Sequence, residues 1–327
     1  MADRLDANLA LAAARVTEAA ALFAARYMGC GDEKVADQGA IEAMSEALAA
    51  LAIDGTIVVG EGLEGAAPKL YVGEKVGTGK GPPVDIALDP LEGATITARG
   101  GPNALAVVAL ANRGGLLTTP DIYMEKIAVG GGLPEGVVGL DEEPGVNLAN
   151  LAKAKNSDIS DLVVCILDRP RHAELIAKVR EAGARIMLIE DGDVSGVVAT
   201  AIPESGVDAY MGVGGAPEGV LAAAALRCIG GQMQGRLAIR NDDDRAKAAQ
   251  CGIGDLERVY GVEDLAHGEV MFAATGVTNG AMLRGVRRTS AGAYTHSIMT
   301  SSSAGTVRWM EAYHHFTHGD GPRRAEP

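Results

Sequence analysis

Asp89-Pro90-Leu91-Glu92-Gly93 places two carboxylates three residues apart, directly after the apolar run Val84–Leu88. Carboxylates at a strand end can converge on one cation. A donor set without His or Cys suits a hard ion such as Mg2+ or Mn2+. Pro90 stiffens the turn, and Gly93 lets backbone approach a ligand. Read alone, the same five residues are equally an acidic surface turn. Gly60-Glu61-Gly62-Leu63-Glu64-Gly65 follows the β-like Thr56–Val59 with G-x-G-x-x-G spacing. The dinucleotide reading fails on context. Pro68 and the β-like Lys69–Val72 stand where a long helix should follow, and Glu61 and Glu64 would face a pyrophosphate with the wrong charge. What remains is either a plain glycine turn or a carboxylate, Glu61, projected from a strand end.

Three more groups lie in the second half. Gly212-Val-Gly-Gly-Ala-Pro-Glu-Gly219 puts Glu218 in the first turn of an apolar helix, where it is either a ligand or a charge that complements the helix dipole. Asp168-Arg169-Pro170-Arg171-His172 and Asp191-Gly192-Asp193 each follow an apolar strand, the place where ligands bind in alternating α/β sheets. Two arginines there could fork a phosphate, or simply be solvated loop charges. His314, His315 and His318 fall in a polar tail expected to fray, and are not expected to bind metal.

These groups need elements to hold them. Residues 5–28 and 36–51 read as amphipathic helices around the turn Gly29-Cys30-Gly31-Asp32. Short β-like runs follow: Thr56–Val59, Lys69–Val72, Val84–Leu88, Ala104–Leu110 and Lys126–Val129. From Leu162–Leu167 onward strands alternate with helices, which implies parallel or mixed sheet. Residues 240–268 read as helical and irregular, and β-like runs return at 270–275, 286–289 and 293–312. A division into 1–160, carrying most of the carboxylates, and 161–327, carrying substrate loops, is expected.

Composition excludes several classes. The 327 residues carry 29 basic and 43 acidic side chains, a net charge of -14. Such a surface repels nucleic acids and anionic membranes. An anionic substrate would therefore need metal ions or a local arginine cluster. The four cysteines are far apart, and Cys165 and Cys228 read as small buried hydrophobes. The Ala-rich opening carries Asp3, Arg4 and Asp6 and does not read as a signal peptide. No run of 18 uncharged apolar residues exists, so no membrane span and a cytoplasmic location are expected.

Together the segments resemble the class II fructose-1,6-bisphosphatases, within the lithium-sensitive, metal-dependent phosphatase superfamily. The matching text includes Gly29-x-Gly-Asp32, Asp37, Ile53–Gly62, Tyr71–Gly79, Asp89–Gly93, Asn103–Val107, Tyr123-Met-Glu-Lys126, Arg169–His172, Asp191–Asp193, Gly214–Gly219 and Phe272–Gly276. It spans about residue 5 to residue 313. The resemblance implies an α/β fold, a layered αβαβα sandwich of two mixed sheets and helices, and a homo-oligomer, dimer or tetramer. It implies hydrolysis of fructose 1,6-bisphosphate to fructose 6-phosphate and phosphate, a gluconeogenic step using Mg2+ or Mn2+. One metal site would be Asp37 and Glu61, the other Asp89, Glu92 and Glu218, with Glu61 orienting the attacking water. Substrate contacts would come from Glu92, Gly93, Ala94, Tyr123, Arg169, Pro170, Arg171, Asp191, Gly192, Asp193 and Gly215.

The sequence also departs from the family pattern. Ala94 stands where the family has threonine, so weakened turnover is expected. Leu63, Gly65 and Ala66 replace much of an acidic turn, Glu33 replaces a lysine, and Ser301-Ser302-Ser303 replaces a basic strand. Alternative readings are a phosphatase for sedoheptulose bisphosphate or an inositol phosphate, and a catalytically impaired sugar-phosphate-binding protein.

Overall fold

The computed structural model describes residues 7–316. Helices α1 (Ala7–Ala24) and α2 (Glu33–Ala49) come first, followed by strands β1 (Asp54–Val59), β2 (Lys75–Val76) and β3 (Pro83–Glu92). Next are the short α3 (Ala94–Arg99), β4 (Leu105–Asn112), β5 (Tyr123–Gly130) and α4 (Pro144–Lys155). Strand and helix then alternate through β6 (Val163–Leu167), α5 (Ala173–Glu181), β7 (Arg185–Ile189), α6 (Asp193–Ala199), β8 (Ala209–Gly215) and α7 (Ala216–Ile229). The chain continues through β9 (Gly231–Leu237), α8 (Asp242–Gln250), β10 (Tyr260–Gly261) and α9 (Val262–Leu265). It closes with β11 (Val270–Gly276), β12 (Arg287–Arg288), β13 (Gly292–Ser301) and β14 (Thr306–His315).

Among the described residues these strands form two mixed sheets. The first runs β12-β13-β11-β4-β3-β1-β2, with β14 also on β13. The second runs β10-β9-β5-β8-β6-β7. β1 and β3 are parallel, as are β8, β6 and β7; β5 runs antiparallel to both its neighbours. The chain leaves the first sheet after β4, builds the whole second sheet, and returns at β11. The expected division at residue 160 therefore falls inside the second sheet, between β5 and β6. Local composition does not register this return, because strand partners there are distant in sequence.

Layering follows from which faces are apolar. α1 and α2 cover one face of the first sheet, α6, α7 and α9 lie between the sheets, and α4 and α5 cover the far face of the second. β4 explains its own composition. Leu105, Val107, Ala109 and Ala111 enter the core between the sheets, while Ala104, Ala106, Val108 and Leu110 enter the core under α1 and α2. Both faces are buried, so its apolar run is unbroken rather than alternating. α7 is buried all round from Val220 to Leu226, as expected of an uncharged apolar helix. Its four successive alanines, Ala222–Ala225, let the helix fit between two sheets.

Two expectations fail. Lys69–Val72 is not a strand. Leu70 takes a left-handed φ of 57°, and only an isolated bridge joins Val72 to Leu63. Leu-Tyr-Val favours a strand, but no partner strand lies alongside; β1 takes Lys75–Val76 instead. The polar tail does not begin at His314. β14 runs through His315, its pairing with β13 includes Ala293↔His314, and His314 Nε2 is 2.9 Å from the Thr295 hydroxyl. His318 lies outside the described residues. Among the described residues no helix is long and apolar enough to cross a membrane.

Ala224→Leu should overfill the layer between the sheets and destabilise the fold by about 1–3 kcal/mol. A lower urea midpoint with an unchanged slope checks this. An unchanged midpoint would show the layer to be loosely packed.

Candidate functional site

Four carboxylates from four elements line one cavity of 250 Å3. Asp37 comes from α2, Glu61 from the turn after β1, Asp89 from the end of β3, and Glu218 from the first turn of α7. Asp121 completes the rim. Each is placed by local structure. Asp32 caps α2 by accepting the Val35 amide at 3.1 Å, and the preceding turn is tied to α3 through Gly29 N–H to Thr97 O and Gly31 N–H to Ala98 O, both 2.9 Å. The Glu61 amide donates to Leu70 O at 2.9 Å. The register of β3 on β4 slips between Asp89 and Glu92. A straight strand would point residues three apart to opposite faces.

The electrostatics are one-sided. Burial pushes the Glu61 carboxyl up to about 7, with Asp37 and Glu218 adding repulsion. Asp89 is raised well above the usual range by burial, then by Glu61 and Glu218. Glu218 is pushed up to about 7 by burial and Asp193, against a lowering by Lys126. Glu218 Oε2 and Glu92 Oε2 are buried without a hydrogen-bond partner among the described residues. Among the described residues no three His, Cys, Asp or Glu side chains close into a compact coordination shell; the carboxylates stand apart on the cavity walls. Buried, mutually repelling oxygen donors without His or Cys fit a hard divalent cation.

A second cavity, of 460 Å3, adjoins the first and shares Asp121 and Glu218 with it. Its other lining residues include Tyr123, Arg169, Arg171, Asp191, Asp193, Gly215, Arg240 and Lys247. Glycine is required at two positions here by close approach. A Cβ on Gly214 would lie 1.9 Å from Asp193 Oδ2, and one on Gly215 would lie 1.7 Å from Glu218 Oε2. Behind this wall Lys126, 2% exposed, pairs with Asp193 and donates to Gly215 O at 2.7 Å.

Arg171 and His172 together hold the backbone of one residue, Val213. Arg171 donates from Nε and Nη2 to Val213 O at 3.0 and 2.7 Å. Val213 N–H donates to His172 Nε2 at 2.8 Å, so the ring proton sits on Nδ1, 2.8 Å from Leu167 O. Burial lowers the His172 pKa and favours this neutral form.

The two cavities gather Asp37, Glu61, Asp89, Glu218, Tyr123, Arg169, Arg171, Asp191, Asp193 and Gly215. Glu92 lies behind them, its Oε1 accepting the Val194 amide at 2.8 Å. Gly93 and Gly192 take left-handed φ values of 95° and 87° as the caps of α3 and α6. Ala94 is the first residue of α3. Pro170 opens a single 3-10 turn before α5. Sequence reasoning missed Asp121, Lys126, Arg240 and Lys247 as parts of this site. Lys126 carried a signal: it is a charge on the buried side of β5, next in line to Met124.

Residues 7–314 match the family described as bacterial fructose-1,6-bisphosphatase, glpX-encoded. The chain belongs to the class II fructose-1,6-bisphosphatase family. It is 43% identical over 344 aligned positions to the D-fructose 1,6-bisphosphatase class 2/sedoheptulose 1,7-bisphosphatase of Synechococcus sp. (strain JA-3-3Ab), covering 98% of this chain and 99% of that one. It is 42% identical over 326 positions to fructose-1,6-bisphosphatase 1 class 2 of Escherichia coli (strain K12), covering 96% and 97%. Metal dependence is typical of the class II family, in keeping with the acidic cavity.

The raised carboxyls set a pH dependence. Between 4.5, the ordinary value, and about 7, folded Glu61 and Glu218 hold protons that the unfolded chain has released. Stability of the chelated protein should therefore fall as pH rises through that window. Glu61→Gln should make the fall shallower, and added Mn2+ should offset it. Urea midpoints across the window check this. A chelated midpoint that rises with pH, with Glu61→Gln no different from the parent, would contradict the mutual repulsion.

Proposed function

We propose that this chain hydrolyses the 1-phosphate ester of fructose 1,6-bisphosphate, releasing fructose 6-phosphate and phosphate, with Mg2+ or Mn2+ held by Asp37, Glu61, Asp89, Glu92 and Glu218. The observation that carries the reading is the pair of adjoining cavities that share Asp121 and Glu218: one has carboxylates as its only charged lining, and the other sets three arginines and a lysine among its carboxylates. A sugar bisphosphate has two anionic ends, and an acidic protein must meet them differently. Bound divalent ions supply charge neutralisation of the reacting phosphate and a bound water of lowered pKa. Glu61, its backbone amide tied to Leu70 O, orients the attacking water and accepts its proton. Tyr123, Arg169, Arg171, Asp191 and Gly215 bind the rest of the substrate, and the first-turn amides of α3 face the phosphate without carbonyl partners in their own helix. The Synechococcus relative's name includes sedoheptulose 1,7-bisphosphatase. Phosphate release from both bisphosphates, assayed with Mg2+ and with Mn2+, separates the two substrates; no release from either would refute the reading.

Asp89→Asn and Glu218→Gln each remove a charge and keep side-chain volume. Both should abolish phosphate release while the melting curve stays cooperative. Turnover retained in either at saturating Mn2+ would remove that residue from the metal-binding set.

Ala94 offers no hydroxyl to the attacking water. Positioned proton transfer contributes roughly 10²–10⁴-fold in rate. Ala94→Thr should raise kcat by about that range with little change in KM, the pattern of a contact made mainly in the transition state. Thr95→Ala is the control. If Ala94→Thr changes nothing and Thr95→Ala abolishes activity, the hydroxyl belongs to Thr95.

A further inference from the structure

Arg240 and Lys247 line the larger cavity beside Arg169 and Arg171, and neither belongs to the motifs that carried the sequence reading. Arg240 directly precedes Asn241, the N-cap of α8, and Lys247 lies on that helix. Arg240 is fixed at both ends of its side chain. Its backbone N–H donates to Asp244 Oδ2 at 2.9 Å, and its Nε donates to the same oxygen at 3.2 Å. Asp244 is itself 2% exposed and held in the first turn of α8, where its amide donates to Asn241 Oδ1 at 2.9 Å. An arginine tied this way has already lost most of the rotamer freedom that binding would otherwise cost. Its two terminal nitrogens have no protein partner among the described residues.

Arg240 also shares an aromatic ring with Arg171. Their guanidinium carbons lie 4.4 and 4.8 Å from the centre of the Tyr123 ring. Arg171 spends Nε and Nη2 on Val213 O, which leaves Nη1 without a partner among the described residues. Two immobilised cations around one ring repel each other, and a doubly charged anion beside them removes that repulsion. Lys247 stands on the same wall, paired with Asp243 at 3.0 Å in an exposed i,i+4 pair that costs little to open. Arg169 is held more loosely, with Nη2 4.0 Å from Asp191 Oδ1.

We propose that Arg240, with Lys247 beside it, determines specificity for the substrate's remote phosphate, the one that is not hydrolysed. This deepens the proposed function and rests on it for the placing of the reacting phosphate, which belongs to the acidic cavity that Arg240 does not line. Arg171 then acts as a shared contact and a brace for Val213, rather than as the main phosphate fork.

The test uses Arg240→Met, Arg240→Lys and Lys247→Gln in the full chain. Fructose 6-phosphate binding is measured by calorimetry in chelator, so it needs no turnover. The ratio of kcat/KM for fructose 1,6-bisphosphate to that for p-nitrophenyl phosphate is measured with Mn2+. Charge-assisted bonds of this kind correspond to roughly 10- to 100-fold in affinity. Arg240→Met should weaken fructose 6-phosphate binding and lower the ratio by about that factor. Arg240→Lys should stay impaired because it keeps the charge and loses the fork. Lys247→Gln, at a half-buried position on α8, should lose a smaller factor in the same direction. Fructose 6-phosphate affinity within about twofold of the parent in Arg240→Met, an unchanged ratio, or failure of the parent to bind fructose 6-phosphate would overturn the inference. A parent that binds fructose 6-phosphate through Arg240 yet releases no phosphate from the bisphosphate would overturn the hydrolytic reading and leave the phosphate seat standing.

Discussion

Like charges gathered out of water repel one another, and this protein gathers several around one pair of cavities. Asp37, Glu61, Asp89, Glu92 and Glu218 are all pushed toward their protonated forms, with burial the leading cause in every case. A buried cation, Lys126, stands behind them, and it is committed to Asp193 and to the Gly215 carbonyl. Much of the surrounding architecture serves to hold these groups against their repulsion. Asp37 arrives on α2, Glu61 on the turn after β1, Asp89 and Glu92 on β3, and Glu218 on α7, so the cluster is assembled from four separate parts of the chain. Gly214 and Gly215 lack side chains because carboxylate oxygens occupy the space where a Cβ would stand.

The two sheets divide the task that such a cluster sets. The first sheet and the helices on it deliver Asp37, Glu61 and Asp89. The second delivers Tyr123, Arg169, Arg171 and Asp191 from its strand ends and connecting loops. Glu218 belongs to both cavities because α7 lies between the sheets and begins where β8 ends. The net charge of -14 and an anionic substrate are compatible on these terms. The basic side chains lie in one cavity, and under the proposed function bound ions would supply positive charge in the other.

Much of this was legible before any coordinates. β4 showed itself as a β-like run at Ala104–Leu110, and Glu218 showed its place in the first turn of an apolar helix opened by Pro217. Asp89 and Glu92 sat where a strand ends. What escaped was whatever depended on a distant partner. Lys69–Val72 has strand-like residues but only the turn at 61–63 to pair with, whereas His314 looks like tail sequence and is held by β13. The chain's return to the first sheet at β11 pairs strands far apart in sequence, which local composition does not register. Arg240 and Lys247 sit in a polar, charge-rich stretch where every residue reads as solvated. Only the fold brings that stretch over Tyr123.

α7 has a consequence beyond holding Glu218. Its alanines set the spacing between the two sheets, and each sheet supplies the walls of one cavity. The separation of the two anionic ends that the protein can accept is therefore gauged by the thickness of a helix and not by the length of a loop. Loop changes can alter which groups line either end, but a substrate with a longer reach has to be accommodated in the core. The protein carries its ruler on the inside, written in methyl groups.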